Sequence, residues 1–171
     1  MANVSLRAAQ PDDLGMLRQD SVADDPFQFF GFSAANALER GFAVDGLISE
    51  DHGLLVVEDE GGSVAGSVSW SAVRHGPTST ARAFNVGIAL LPGHRGMGLG
   101  SAALVAFAEY LFANTLIERL EAGTDVDNLA AQGALERAGF QREGVQRHAQ
   151  FRDGGWHDLV TYGRLRGDRL S

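Results

Sequence analysis

The chain has 171 residues, 44% of them apolar and 21% charged, a composition that suits one folded domain with its own core. It contains no cysteine, which excludes disulfides, a thiolate nucleophile and sulfur-ligated metal, and all 14 of its basic residues are arginine, which excludes Schiff-base lysine chemistry. A net charge of −8 argues against nonspecific nucleic-acid binding and tilts the expected substrate toward a neutral or cationic one, though an acidic surface also serves solubility.

No charged segment leading into a short apolar run opens the chain, and no apolar run is long enough to span a bilayer. A cytoplasmic protein of one domain over residues 1–171, without membrane or metal, is the expectation. Val4 to Ala9 reads as a first strand that ends at Gln10-Pro11-Asp12-Asp13. Leu14, Leu17 and Arg18 begin a helix, Asp24-Asp25-Pro26 breaks the chain, and Ser33 opens a second helix through Leu38 and Phe42 to about Leu47. Phe27, Phe29, Phe30 and Phe32 cluster ahead of it, as core or as the lining of a cleft.

From His52 the period changes. Leu54 to Val57 is a β-rich run, Glu60-Gly61-Gly62 a turn, and Val64, Val68, Trp70 and Ala72 then alternate with Ala65, Ser67, Ser69 and Ser71, giving an antiparallel hairpin. A further strand from Ala83 to Leu91 stops at Pro92. Leu104, Phe107, Ala108, Leu111 and Phe112 recur at helical spacing. Arg119 to Thr124 is the next strand, and Asp127-Asn128 caps a helix through Ala138, with Gly139 in the left-handed position and Phe140 folding back on Leu135. Glu143 to Phe151, the turn at Asp153-Gly154-Gly155, and Trp156 to Leu165 form a closing hairpin. The order βααβββαβαββ predicts a mixed α/β fold with an antiparallel first half.

Arg95-Gly-Met-Gly-Leu-Gly100 lies between a strand and an amphipathic helix expected to start near Ser101. A helix N-terminus presents unpaired N–H groups and partial positive charge, and glycines let the backbone approach an anion closely, so the spacing describes a pyrophosphate cradle. A P-loop would need a lysine, and a dinucleotide fingerprint would need Gly-x-Gly-x-x-Gly in an early βαβ unit. The alternative is a glycine-rich turn that only allows tight packing.

The Arg-x-x-Gly-x-Gly pattern at 95–100 resembles the coenzyme A motif of the GCN5-related N-acetyltransferases. Asn128-Leu-Ala-Ala-Gln-Gly-Ala-Leu-Glu-Arg-Ala-Gly-Phe140 and the ending Asp153-Gly-Gly-Trp-His-Asp158 to Tyr162 resemble the ribosomal-protein-alanine acetyltransferase-like branch (RimJ/RimL type) of that family, over about residues 5–166. The resemblance implies an antiparallel meander with splayed central strands flanked by about four helices. It implies acetyl-CoA as co-substrate, an amine acceptor (a small molecule or a protein N-terminus) attacking directly in a ternary complex, and allows a homodimer. Cofactor contacts would fall on Ile88, Ala89, Leu90, Arg95, Gly96, Met97, Gly98, Leu99, Gly100, Ser101 and Asn128, with the Ile88 or Leu90 N–H polarising the thioester carbonyl. Asn128 is alternatively a plain helix cap.

The chain departs from that family where protons are handled. Positions at which relatives carry a serine or tyrosine acid are Ala131 and Leu135, and the position of a common glutamate base is Asn85. Glu121 on the next strand ranks first as base through a water, against an ion-paired structural role. Asp125, His75, His148 and His157 are substitutes, or the amine arrives neutral. Another acyl donor, or a non-catalytic coenzyme A sensor, are the rival readings.

Overall fold

The computed structural model describes residues 2–20 and 37–168. Its elements are β1 (Val4–Ala8), α1 (Asp13–Asp20), α2 (Ala37–Asp45), β2 (His52–Asp59), β3 (Val64–Arg74), β4 (Arg82–Leu90), a 3₁₀ turn (Pro92–His94), α3 (Leu99–Asn114), β5 (Arg119–Asp125), α4 (Leu129–Arg137), β6 (Gln141–Arg152) and β7 (Gly155–Leu165). The order is the one the sequence periods predict. The phenylalanine cluster at 27–32 and Ser33 lie outside the described residues.

The strands make one sheet in the order β1-β2-β3-β4-β5-β7-β6. All neighbours are antiparallel except β4 and β5, which run parallel and pair only through Phe84↔Leu120 and Asn85↔Glu121. Beyond those two pairs the strands separate. α3 is the crossover between them, as a parallel pair requires.

Alternation decides which face is buried. Val68, Trp70, Phe84 and Val86 point to one side, where Leu104, Phe107 and Leu111 of α3 cover them. Trp70 packs between Phe84 and Phe107 with ring centroids 6.4 and 6.0 Å away, so it is core. Ala65 breaks the expected alternation: it is fully buried although its neighbours in phase, Ser67 and Ser69, are not. A register shift between Val57 and Glu58, together with Gly66 at φ 153°, resets the pleat there.

On the opposite face a smaller cluster joins Leu14, Leu17, Leu38 and Phe42 to Val56. α1 is anchored at its start by Asp13, which accepts two hydrogen bonds from Arg7 (2.6 and 2.9 Å) and one from the Gln10 amide (2.7 Å). The Arg7 hydrogen bonds hold the Asp13 carboxyl below its usual range even though burial opposes its charge. A depressed folded-state value stabilises the fold above the unfolded carboxyl's pKa, and that stabilisation disappears as pH falls through the folded value. Asp13→Asn should therefore cost about 1.5–3 kcal/mol at pH 7. In urea unfolding the gap to wild type should close below about pH 4.

Two helix boundaries are informative. α3 begins at Leu99, two residues before the expected start, because Gly98 at φ 80° turns the chain directly into it. α4 ends as expected: Gly139 is left-handed at φ 80°, Phe140 N–H donates to Leu135 O at 3.0 Å, and Phe140 is buried. Among the described residues no helix is long and apolar enough to cross a membrane.

Candidate active site

The parting of β4 from β5 opens a cavity of about 320 Å³ that passes through the sheet. Val86, Ile88, Leu104 and Leu135 line it from the α3–α4 side, and Ser67, Ser69, Gly87 and Gln150 from the other. The Leu91 N–H donates to Ala65 O on β3 at 2.9 Å. Strand alternation therefore turns the N–H groups of Ile88 and Leu90 away from β3 and into the gap. Two main-chain donors thus face a cleft with no strand to receive them.

Next to this cavity lies a second, about 270 Å³, which shares Ile88, Asn128 and Ala131 with it and runs along the Arg95–Ser101 loop. Gly96 and Gly98 adopt φ 74° and 80°, and a Cβ added at either would meet nothing within 4 Å, so the space above them is open. The amides from Gly96 to Ser101 donate to no group among the described residues; the first bond of α3 is Ala102 N–H to Gly98 O at 3.3 Å. Six unspent donors at a helix start fit an anion of diphosphate size. The Arg95 side chain folds back, its Nε donating to Leu90 O at 2.9 Å, which ties the loop to the end of β4. Met97 is exposed at the tip, while Leu99 is buried in the core.

Asn128 is the cap of α4, and its side chain also reaches the candidate site. Its Oδ1 accepts from Ala131 N–H at 3.1 Å and caps α4, while its amide nitrogen bonds to no described residue and the side chain borders both cavities. Ser101 is buried and accepts from Arg137 Nε at 3.0 Å. That bond brings Arg137 to the cradle wall, a cation that sequence reasoning overlooked; its signal was the arginine inside Leu-Glu-Arg-Ala-Gly-Phe. Also overlooked were Ser67, Ser69 and Gln150, because strand residues from β3 and β6 reach the cleft only through sheet topology.

The proton-handling candidates separate in space. Ala131 and Leu135 line the cleft without any group that can donate, and Asn85 pairs in register with Glu121. Glu121 Oε1 accepts from Arg119 Nε at 2.7 Å and lies 2.5 Å from His75 Nε2. These residues line a cavity of about 310 Å³ that shares Ala122, Gly123 and Leu159 with the cleft. His148 instead stacks on exposed Trp156 (6.2 Å, 19°) at the far hairpin. His157 lies 3.4 Å from Asp125, and Arg152 closes on the same carboxylate. Burial works against the Asp125 charge, but the Asp127 amide and Arg152 prevail and hold the carboxyl below its usual range, so Asp125 stays ionised as a structural anchor. Tyr162 is buried and donates its hydroxyl to Glu136 at 3.1 Å.

The model of the acetyltransferase (GNAT) domain matches residues 3–141. The chain belongs to the GNAT acetyltransferase family. A curated relative, "Probable N-acetyltransferase YjcK" of Bacillus subtilis (strain 168), is 31% identical over 116 residues, which is 68% of this chain; the match spans 61% of the relative's length. Solved GNAT-type structures share the architecture. The Vibrio cholerae spermidine N-acetyltransferase in complex with CoA and spermine superposes with a TM-score of 0.79 at 20% identity over 98% of each chain. A chimera of Vibrio cholerae SpeG with hSSAT gives 0.81 at 20% identity over 95% of each chain. The mixed α/β GNAT fold is thereby established for this chain, and acetyl-CoA is the co-substrate the family uses.

Proposed function

We propose that this protein transfers an acetyl group from acetyl-CoA to a primary amine by direct attack in a ternary complex. One observation carries the proposal: the unspent amides of Gly96 to Ser101 and the inward N–H groups of Ile88 and Leu90 lie along one continuous cleft. Acetyl-CoA would supply the activated acyl carbon. The loop amides, with Arg137 beside them, hold its diphosphate, and Asn128 Nδ2 donates to the arm that follows. The Ile88 and Leu90 amides polarise the acyl carbonyl, and a single donor of this kind is worth about 2.7–4 kcal/mol of barrier. With no cysteine in the chain, attack without an acyl-enzyme is consistent with the composition.

Proton removal falls on the Glu121 side of the gap, since Glu121 stands beside Asn85 and faces the same cavity. The acceptor enters on that face, over Ser67, Ser69 and Gly87. The net charge of −8 and the polyamine named for the Vibrio cholerae neighbour make a cationic small molecule the first acceptor to try. The Asn128–Phe140 segment supports a place in the ribosomal-protein-alanine acetyltransferase-like branch, which keeps peptide N-termini in the panel. A cytoplasmic homodimer completes the proposal.

The test is thiol release from acetyl-CoA with spermine, glucosamine and an alanyl peptide as amines. Turnover with at least one of them is expected. Tight acetyl-CoA binding with no release on any amine would favour the coenzyme A sensor instead.

A further inference from the structure

We propose that His75 is the group that takes the proton from the acceptor ammonium, and that Glu121 is its positioning residue and not the base itself. This rests on the acetyl-transfer reading above and divides the work between two side chains of the same cavity.

The geometry is a chain of fixed charges ending in an imidazole. On β6, Glu143 receives both terminal nitrogens of Arg119, at 2.8 and 2.5 Å. The Nε of that guanidinium then holds Glu121 Oε1 at 2.7 Å, and the same oxygen meets His75 Nε2 at 2.5 Å. Glu121 is mostly buried (19% side-chain exposure), whereas His75 is more than half exposed, at 54%. The oxygen of Glu121 that faces the pair is thus already claimed by two donors. The main chain at His75 is held too, since its backbone N–H donates to Ala81 O at 2.8 Å just after β3 ends.

An ionised carboxylate can only accept, so Nε2–H of His75 is the donor in this contact, and Nδ1 is the ring nitrogen left for a second partner. Imidazole is the side chain most often used as a general base. Among the described residues, the charged and titratable groups lining the cavity around it are Arg119, Glu121, Glu143 and Tyr162. The cavity adjoins the acetyl-transfer cleft at Ala122, Gly123 and Leu159, which line both, and a water between them would carry a proton from the cleft to His75. In the step, an N–H bond of the ammonium breaks, a water passes the proton on, and an Nδ1–H bond forms on His75. The amine keeps the freed electron pair for attack, Glu121 steadies the imidazolium, and bulk water removes the proton afterwards.

The experiment is the pH profile of kcat/KM, with acetyl-CoA and whichever panel amine turns over, for wild type, His75→Gln, His75→Asn and Glu121→Gln. Circular dichroism and acetyl-CoA affinity report on folding. Wild type should lose activity along an acid limb as the imidazole that accepts the proton is itself protonated. Both His75 variants should keep acetyl-CoA affinity, fall about 100-fold in kcat and lose that limb. Glu121→Gln should keep the limb at a lower kcat. A limb absent from wild type, or retained in a folded His75 variant, overturns the assignment; so does a limb lost in Glu121→Gln alone. Absence of turnover by wild type on every amine would instead remove the acetyl-transfer reading beneath it.

Discussion

Gly98→Val should raise the dissociation constant for acetyl-CoA by at least about 100-fold, or about 2.7 kcal/mol, while leaving the protein folded. Gly98 sits at φ 80°, where an L-residue costs roughly 1–2 kcal/mol, more when it is β-branched. A melting temperature lower by about 2–8 °C would match that strain in a chain of this size. Nothing stands within 4 Å of the added Cβ, so no protein atom has to move and the strain is local. The added methyls instead fill the space above the loop and shield the amides that the anion needs. Calorimetric titration together with thermal unfolding separates the two effects. An affinity within a few-fold of wild type would mean that the loop amides do not bind the ligand.

The second large effect is on stability. Asp125→Ala should cost about 3–5 kcal/mol, because it leaves the Arg152 charge buried with its carboxylate partner gone. Asp125 and Arg152 have side-chain exposures of 2% and 5%, so water does not replace the lost partner. The same carboxylate accepts from Asp127 N–H at 2.7 Å, and the Asp125 carbonyl accepts from Asn128 N–H at 3.0 Å, so the turn that presents Asn128 loosens as well. A fall in melting temperature of about 6–20 °C follows from that cost. Replacing both partners, Asp125→Leu with Arg152→Met, should recover most of the loss, since a buried pair exchanged for apolar volume is often neutral. A single mutant as stable as wild type would show that the pair is not what closes this end of the sheet.

Local signals reached far in this chain. The period of two in β3 from Ser67 onward, the helical stripe of α3, the cap at Asn128 and the left-handed Gly139 each depend on a few adjacent residues, so their letters suffice. The candidate cradle was legible for the same reason: Gly96, Gly98 and the start of α3 fall within six positions. The helix start was misjudged by two residues because Gly98 serves as both loop and cap, and glycine has no side chain to announce which.

What stayed hidden depends on pairings between distant segments. Arg137 reaches the cradle only because α4 packs against α3, and Gln150 reaches the cleft only because β6 lies outside β7. Glu121 and His75 are 46 positions apart and meet because β5 returns beside β4, next to the loop that follows β3. No period in the sequence encodes that meeting. Glu121 and His75 are both candidates from the sequence, beside the departures at Ala131, Leu135 and Asn85; their mutual contact is the part that only the fold shows.

The seam between β4 and β5 has a consequence for the molecule as a whole. Two residue pairs stitch a four-stranded leaf to a three-stranded one, and beyond them the inner margin of β4 is bare. A molecule that bonds along that margin acts as a borrowed strand, and its binding energy is added to the cohesion of the two leaves. Folding and loading are then parts of one equilibrium, joined along the line where acyl transfer is proposed.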